Sequence, residues 1–224
     1  MDDQDKWFKL MTTPEELHPD LAPYVFDMRS GGKGLNSPLV QEIMHRPGYG
    51  GMANKQYEAK KAARDQYERE GSIAGYIYIH ERPYRFDAFT EYLSRHEVAH
   101  RVFWKTLAGI WTDSENIYQN LDEWRELWET KRPAKPYAMM PKEKARLAAL
   151  PDTFTVYRGI SHPFPDAGLS WTLDKARARW FAERYAHRAK DARVRVGTVR
   201  KADVHALFLG RNETEIVASQ VAEG

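Results

Sequence analysis

Three short polar motifs follow one another in the last third of the chain: Tyr157-Arg158-Gly159, Ser170-Trp171-Thr172 and Glu213-Thr214-Glu215. Each lies in or beside an apolar stretch that reads as a short strand, so an arginine, a serine and paired carboxylates can be carried into one cleft. Along a strand alternate side chains share a face. That pairs Glu213 with Glu215 and Ser170 with Thr172, and sends Thr214 and Trp171 the other way. Two carboxylates on one face repel, which raises the proton affinity of one and separates acid from base roles. The Ser170 and Thr172 hydroxyls suit a ribose hydroxyl or the orientation of a carboxylate. The planar fork of Arg158 suits phosphate oxygens, and Gly159 behind it allows a tight turn and a close ligand approach at the strand end. Singly, each motif is as well explained by an exposed edge strand, a cross-strand hydroxyl pair or a structural ion pair. Together they point to chemistry on an anionic, sugar-containing ligand.

Other signals compete. His96-Glu97-Val98-Ala99-His100 is a literal H-E-x-x-H. On a helix the two histidines can bind zinc while Glu97 activates water, which makes a zinc-dependent hydrolase the alternative reading. No third ligand is marked, so no metal is expected. Gly31-Gly32-Lys33-Gly34 lacks the spacing of a phosphate loop and reads as part of a mobile turn over residues 29–35. Arg177, Arg179, Arg184, Arg188, Lys190, Arg193, Arg195, Arg200 and Lys201 make a locally basic run, for which a solvated face is the ordinary explanation and a nucleic-acid partner a less favoured one.

The elements that must position these residues divide into two styles. The first part reads as helical, with helix starts at Thr13-Pro14 and Ser37-Pro38 and a charged helix over Asn54 to Glu70. Ile73 to Ile79 fits either a strand or a buried connection. Apolar spacing gives a helix from Asp87 to Leu107. The capping-box spacing Thr112 to Glu115 starts another, carrying Leu121, Trp124, Leu127 and Trp128 as core. Prolines 133, 136 and 141 mark a linker before a short helix over Lys142 to Leu150. Beyond Pro151 short strands dominate: Phe154 to Tyr157, Gly168 to Thr172, Val194 to Val199, Val204 to Leu209 and Glu213 to Val217. One helix from Asp174 to about His187 interrupts them, with Ala176, Trp180, Ala182 and Tyr185 near one face, Phe181 beside it, and Arg177 and Arg184 directed largely elsewhere. The expected fold is α+β, a helical region 1–150 packed on a small mixed sheet in 151–224.

Composition sets bounds. The 224 residues are 42% hydrophobic, enough for a core. A net charge of +2 with 29% charged residues leaves no whole-chain nucleic-acid footprint. Cysteine is absent, so disulfides and thiolate-bound zinc are excluded. The polar N-terminus is unlike a secretory signal and no stretch has the length of a membrane span, so the expectation is a cytoplasmic protein without membrane contact.

The motif set resembles the arginine, serine, glutamate branch of the ADP-ribosyltransferase superfamily. Arg158 stands where that family has an arginine after its first core strand. Ser170 to Thr172 resembles its Ser-Thr-Ser motif, with Trp171 in place of the usual central threonine. Glu213 to Glu215 resembles its Glu-x-Glu. The likeness covers residues 153–218. The block from Trp111 to Asn116 is also similar to uncharacterised phage and bacterial proteins that combine it with such a domain, and a phage source would place the protein in the host cytoplasm.

The resemblance implies transfer of ADP-ribose from NAD, used as a substrate, to a protein acceptor with release of nicotinamide. It implies that Glu215 is the catalytic carboxylate, that Ser170 orients it, and that Arg158 binds the dinucleotide. Tyr157, Gly159, Ser170 and Thr172 complete the NAD site, and Glu213 at the first position of the motif favours an arginine acceptor. Hydrolysis of NAD by water and a noncatalytic binding role on the same fold are the other outcomes it allows.

Overall fold

The computed structural model describes residues 8–9, 12–115, 117–162, 167–184, 190–210 and 213–223. It is a mixed α and β protein with two antiparallel sheets, divided into compact units Met1–Glu97 and Val98–Gly224.

In the first unit, strands β1 (Val25–Asp27), β2 (Lys33–Asn36) and β3 (Gln41–His45) form a sheet in that order. Gly31 and Gly32 turn the chain between β1 and β2 at φ of 86° and 87°, a region open to glycine, so the glycine-rich segment is half turn and half strand. Neither early helix start is observed. Glu15 instead bridges Tyr49, and Ser37 closes the turn between β2 and β3, its hydroxyl accepting from Val40 N and donating to Val40 O. Leu39 and Val40, just past the proline, are buried with Leu21 and Leu35, and that burial outweighs the local helix signal.

Helix α1 (Gly51–Arg69) matches expectation. Residues Ile73–Tyr78 form helix α2, which decides the ambiguous segment: Ile73, Tyr76 and Ile77 are buried at helical spacing. Gly75 makes this packing possible, since a Cβ there would lie 2.5 Å from the Tyr67 ring. Helix α3 (Arg85–Arg95) ends at His96, whose φ of −133° and ψ of 140° are extended. The expected single helix from Asp87 to Leu107 is therefore two.

The second unit opens with α4 (His100–Asp113), α5 (Leu121–Glu129) and α6 (Pro141–Ala148). Thr112 starts no helix, because its hydroxyl donates back to Ala108 O and Gly109 O within α4. The core of these helices is aromatic: Trp104, Trp111, Trp124 and Trp128 are all buried. Trp111 meets Trp124 and Trp128 edge to face at 5.1 and 5.7 Å.

The second sheet has six strands, β4 (Thr153–His162), β5 (Ser170–Thr172), β6 (Lys190–Arg200), β7 (Val204–Phe208), β8 (Glu215–Ala218) and β9 (Ala222–Glu223). Their order in the sheet is β7-β8-β5-β4-β6-β9. Every pairing is antiparallel, which corrects the expected mixed sheet. Short connections such as β7 to β8 can only return the chain antiparallel. The change from helical to stranded pattern near residue 150 is not where the compact units divide. Helix α6 packs on β7, Glu143 accepts from Leu209 N, and Trp128 lies against His205 and Phe208.

Helix α7 (Lys175–Glu183) begins at Asp174, whose carboxylate accepts from Ala176 N and Arg177 N. Residues 185–189, the expected end of this helix, lie outside the described residues. Its inner face carries Ala178 and Ala182, while Trp180, expected to share a face with Ala182, is 45% exposed. The reason is Gly159 on β4: a Cβ there would lie 2.2 Å from Ala178 O, so the helix sits too close to the strand for tryptophan between them. Among the described residues no helix is long and apolar enough to cross a membrane.

Candidate functional site

The register of the central strands brings the three motifs together. Tyr157 on β4 pairs with Thr172 on β5, and β5 runs beside β8 with Ser170 opposite Val217 and Thr172 opposite Glu215. Arg158, Ser170 and Glu215 thereby reach one cavity of about 840 Å³, whose wall also includes Tyr157, Gly159, Thr172 and Glu213. That volume lies in the range of pockets that enclose small ligands and cofactors.

Glu215 is held from two sides. Ser170 Oγ donates to its Oε1 at 2.5 Å, and Trp111 Nε1, from α4, donates to the same oxygen at 3.1 Å. A short hydroxyl bond and an indole bond on one oxygen fix the plane of the carboxylate. The serine is placed by strand pairing and the indole by the tryptophan cluster, so both donors stand on rigid elements. The site offers an oriented acceptor oxygen set, suited to stabilise positive charge or to take a proton.

Arg158 is in the middle of β4 and not at its end. Its Nη1 donates to Ser170 O at 2.8 Å, and its guanidinium lies against Gly168, where a Cβ would be 2.2 Å from Cζ. The arginine therefore braces the entry to β5 as well as lining the cavity. Gly159 is likewise mid-strand, and the backbone that approaches it closely is α7 rather than a ligand. The Thr172 hydroxyl accepts from Asp174 N at 3.1 Å, so it shapes the turn into α7. Trp171 is buried, as its opposite direction required, with the Arg195 guanidinium 5.8 Å from its ring centre.

Glu213 is not on the strand. Strand β8 starts at Glu215, Thr214 O accepts from Leu173 N, and Glu213 N donates to Gly210 O. Strand alternation thus does not relate the two carboxylates, although both line the cavity. Glu213 Oε1 instead accepts from Arg177 Nη2 of α7 at 2.6 Å. Arg177 and Trp111 are the functional candidates that motif reasoning missed. Trp111 fell within the Trp111 to Asn116 block, but nothing in its spacing marks a contact to a residue more than a hundred positions away. The same block contributes Thr112, Ser114 and Glu115 to the cavity wall.

The H-E-x-x-H segment is not one helix. His96 is extended after α3 and its Nε2 is 2.9 Å from Glu68 Oε1, whereas His100 is the first residue of α4. The i, i+4 helical geometry that the zinc reading needs is not formed there. Among the described residues, no three histidine or carboxylate side chains come together as a metal site.

Comparison with protein-family models, with curated proteins and with solved structures finds no match to this chain.

Proposed function

We propose that the chain is an NAD-dependent mono-ADP-ribosyltransferase with an ADP-ribosyltransferase-like core in its second unit, and that arginine on a protein is the preferred acceptor. The observation that carries this reading is Glu215 Oε1 held by Ser170 and Trp111 on the wall of a cofactor-sized cavity. Cleavage breaks the bond from the ribose anomeric carbon to the nicotinamide nitrogen, and the electron pair leaves with nicotinamide. The sugar gains oxocarbenium character, which a fixed carboxylate beside it stabilises. An acceptor guanidinium nitrogen then bonds to the anomeric carbon and gives up a proton, with the Glu213 carboxylate docking the fork and receiving the proton.

Arg158 has two tasks in this scheme. It places positive charge on the cavity wall for the dinucleotide's phosphates and holds the backbone of Ser170 beneath the ribose. Tyr157 supplies an aromatic wall. The test is release of nicotinamide from labelled NAD by the purified protein, with and without a host lysate. The reading requires turnover that Glu215→Gln abolishes, and label on arginine side chains located by mass spectrometry.

A further inference from the structure

The carboxylate that would dock an acceptor arginine already holds one. Arg177 Nη2 donates to Glu213 Oε1 at 2.6 Å, with the two side chains 26% and 18% exposed. Resting on the transferase reading, we propose that Arg177 is a specificity-determining residue: a tethered guanidinium on the acceptor site, which an incoming arginine must displace.

The surroundings of Arg177 suit exchange. Its backbone is fixed, because Arg177 N donates to the Asp174 cap at 3.2 Å, so the side chain can swing without moving the helix. Its guanidinium lies 4.4 Å from the Trp180 ring centre and 5.2 Å from that of Phe181, residues one helical turn further on. Once off Glu213, the cation therefore keeps an aromatic surface close by. Displacement leaves Glu213 paired with a guanidinium throughout, and the displaced Arg177 cation is left to the aromatic faces and to solvent.

Tethering sets the selectivity. A group held on the same fold competes at a high effective concentration, roughly millimolar or above. A small free guanidine cannot match that by its single fork. An arginine presented on a macromolecule, with further contacts around it, can. Arg177 thus biases transfer away from free guanidines and toward arginine on a folded partner, and leaves water as the acceptor when no such partner is bound.

The probe is agmatine, a small guanidine, measured two ways on wild type and on Arg177→Met, which keeps bulk against Trp180 but has no cation. Calorimetry without NAD reads agmatine binding, and product analysis with NAD reads the ratio of agmatine transfer to hydrolysis. The variant is expected to bind agmatine about tenfold more tightly and to raise that ratio about tenfold. Arg177→Lys, which keeps a cation on Glu213 without the fork, should fall between the two and serves if the methionine variant does not fold. No gain in binding or ratio in a folded variant, with NAD turnover intact, overturns the gate and leaves the transferase reading standing. Gained agmatine binding in a protein without NAD turnover defeats the transferase reading and keeps Glu213 as a guanidinium site gated by Arg177.

Discussion

One carboxylate oxygen of Glu215 receives both a serine hydroxyl and an indole N–H, and the proposed transferase chemistry is centred on this pair of bonds. Each donor contributes orientation rather than charge. Ser170→Ala is expected to lower kcat about tenfold while KM for NAD changes little, because the carboxylate remains but loses its fixed plane. Trp111→Phe, which keeps an aromatic ring edge to face with its neighbours and removes the N–H, should show the same split. Steady-state kinetics on folded variants measure it, and a change confined to KM would assign these donors to binding instead. The Ser170 to Glu215 contact was expected from the family resemblance, and the pairing of β5 with β8 forms it. The Trp111 contact was not, since it depends on how a helix of tryptophans is docked. Glu213 was misplaced for a local reason: alternation applies only inside a strand, and the chain enters β8 after Glu213.

At the scale of elements, the close approach of α7 to β4 sets the wall of the cavity. Gly159 is the position that permits it, and a Cβ there would stand 2.2 Å from Ala178 O and 2.6 Å from Ala182 N. Neither atom is a flexible side-chain end, so helix or strand must move. Gly159→Ala is expected to cost about 2 kcal/mol, lowering Tm by about 6 °C in a chain of this size. Calorimetric melting checks it, and an unchanged Tm would show that α7 lies farther from the strand. Most strands and helices were readable from propensity, proline breaks and apolar runs, as α1, α6 and β4 show in turn. Ser37 and Trp180 carry local signals that tertiary packing overrode, in a turn closed over Leu39 and Val40 and a helix pressed onto glycine. Thr112 failed locally, its hydroxyl bonded within its own helix.

At the scale of the whole molecule, helices and sheet of the second unit meet around Trp128, where His205 lies at 6.3 Å and nearly parallel to the indole. Burial first, and then the neighbouring Lys135 ammonium, push the His205 ring down from 6.5 to about 4. Above pH 6.5 the ring is neutral in both folded and unfolded chains. As the pH falls from 6.5 toward about 4, the unfolded chain binds a proton that the folded one does not, so stability is lost across that window. His205→Gln should therefore show a smaller fall in Tm than wild type between about pH 7 and about pH 5. Equal falls would mean that this histidine is not held neutral. The functional account stands or falls on Glu215. The most direct measurement is nicotinamide released from labelled NAD by wild type and by Glu215→Gln, both shown to be folded with equal Tm. The account predicts turnover in wild type and none above background in the variant. Release undiminished by Glu215→Gln, or no release by wild type with or without lysate, would contradict it.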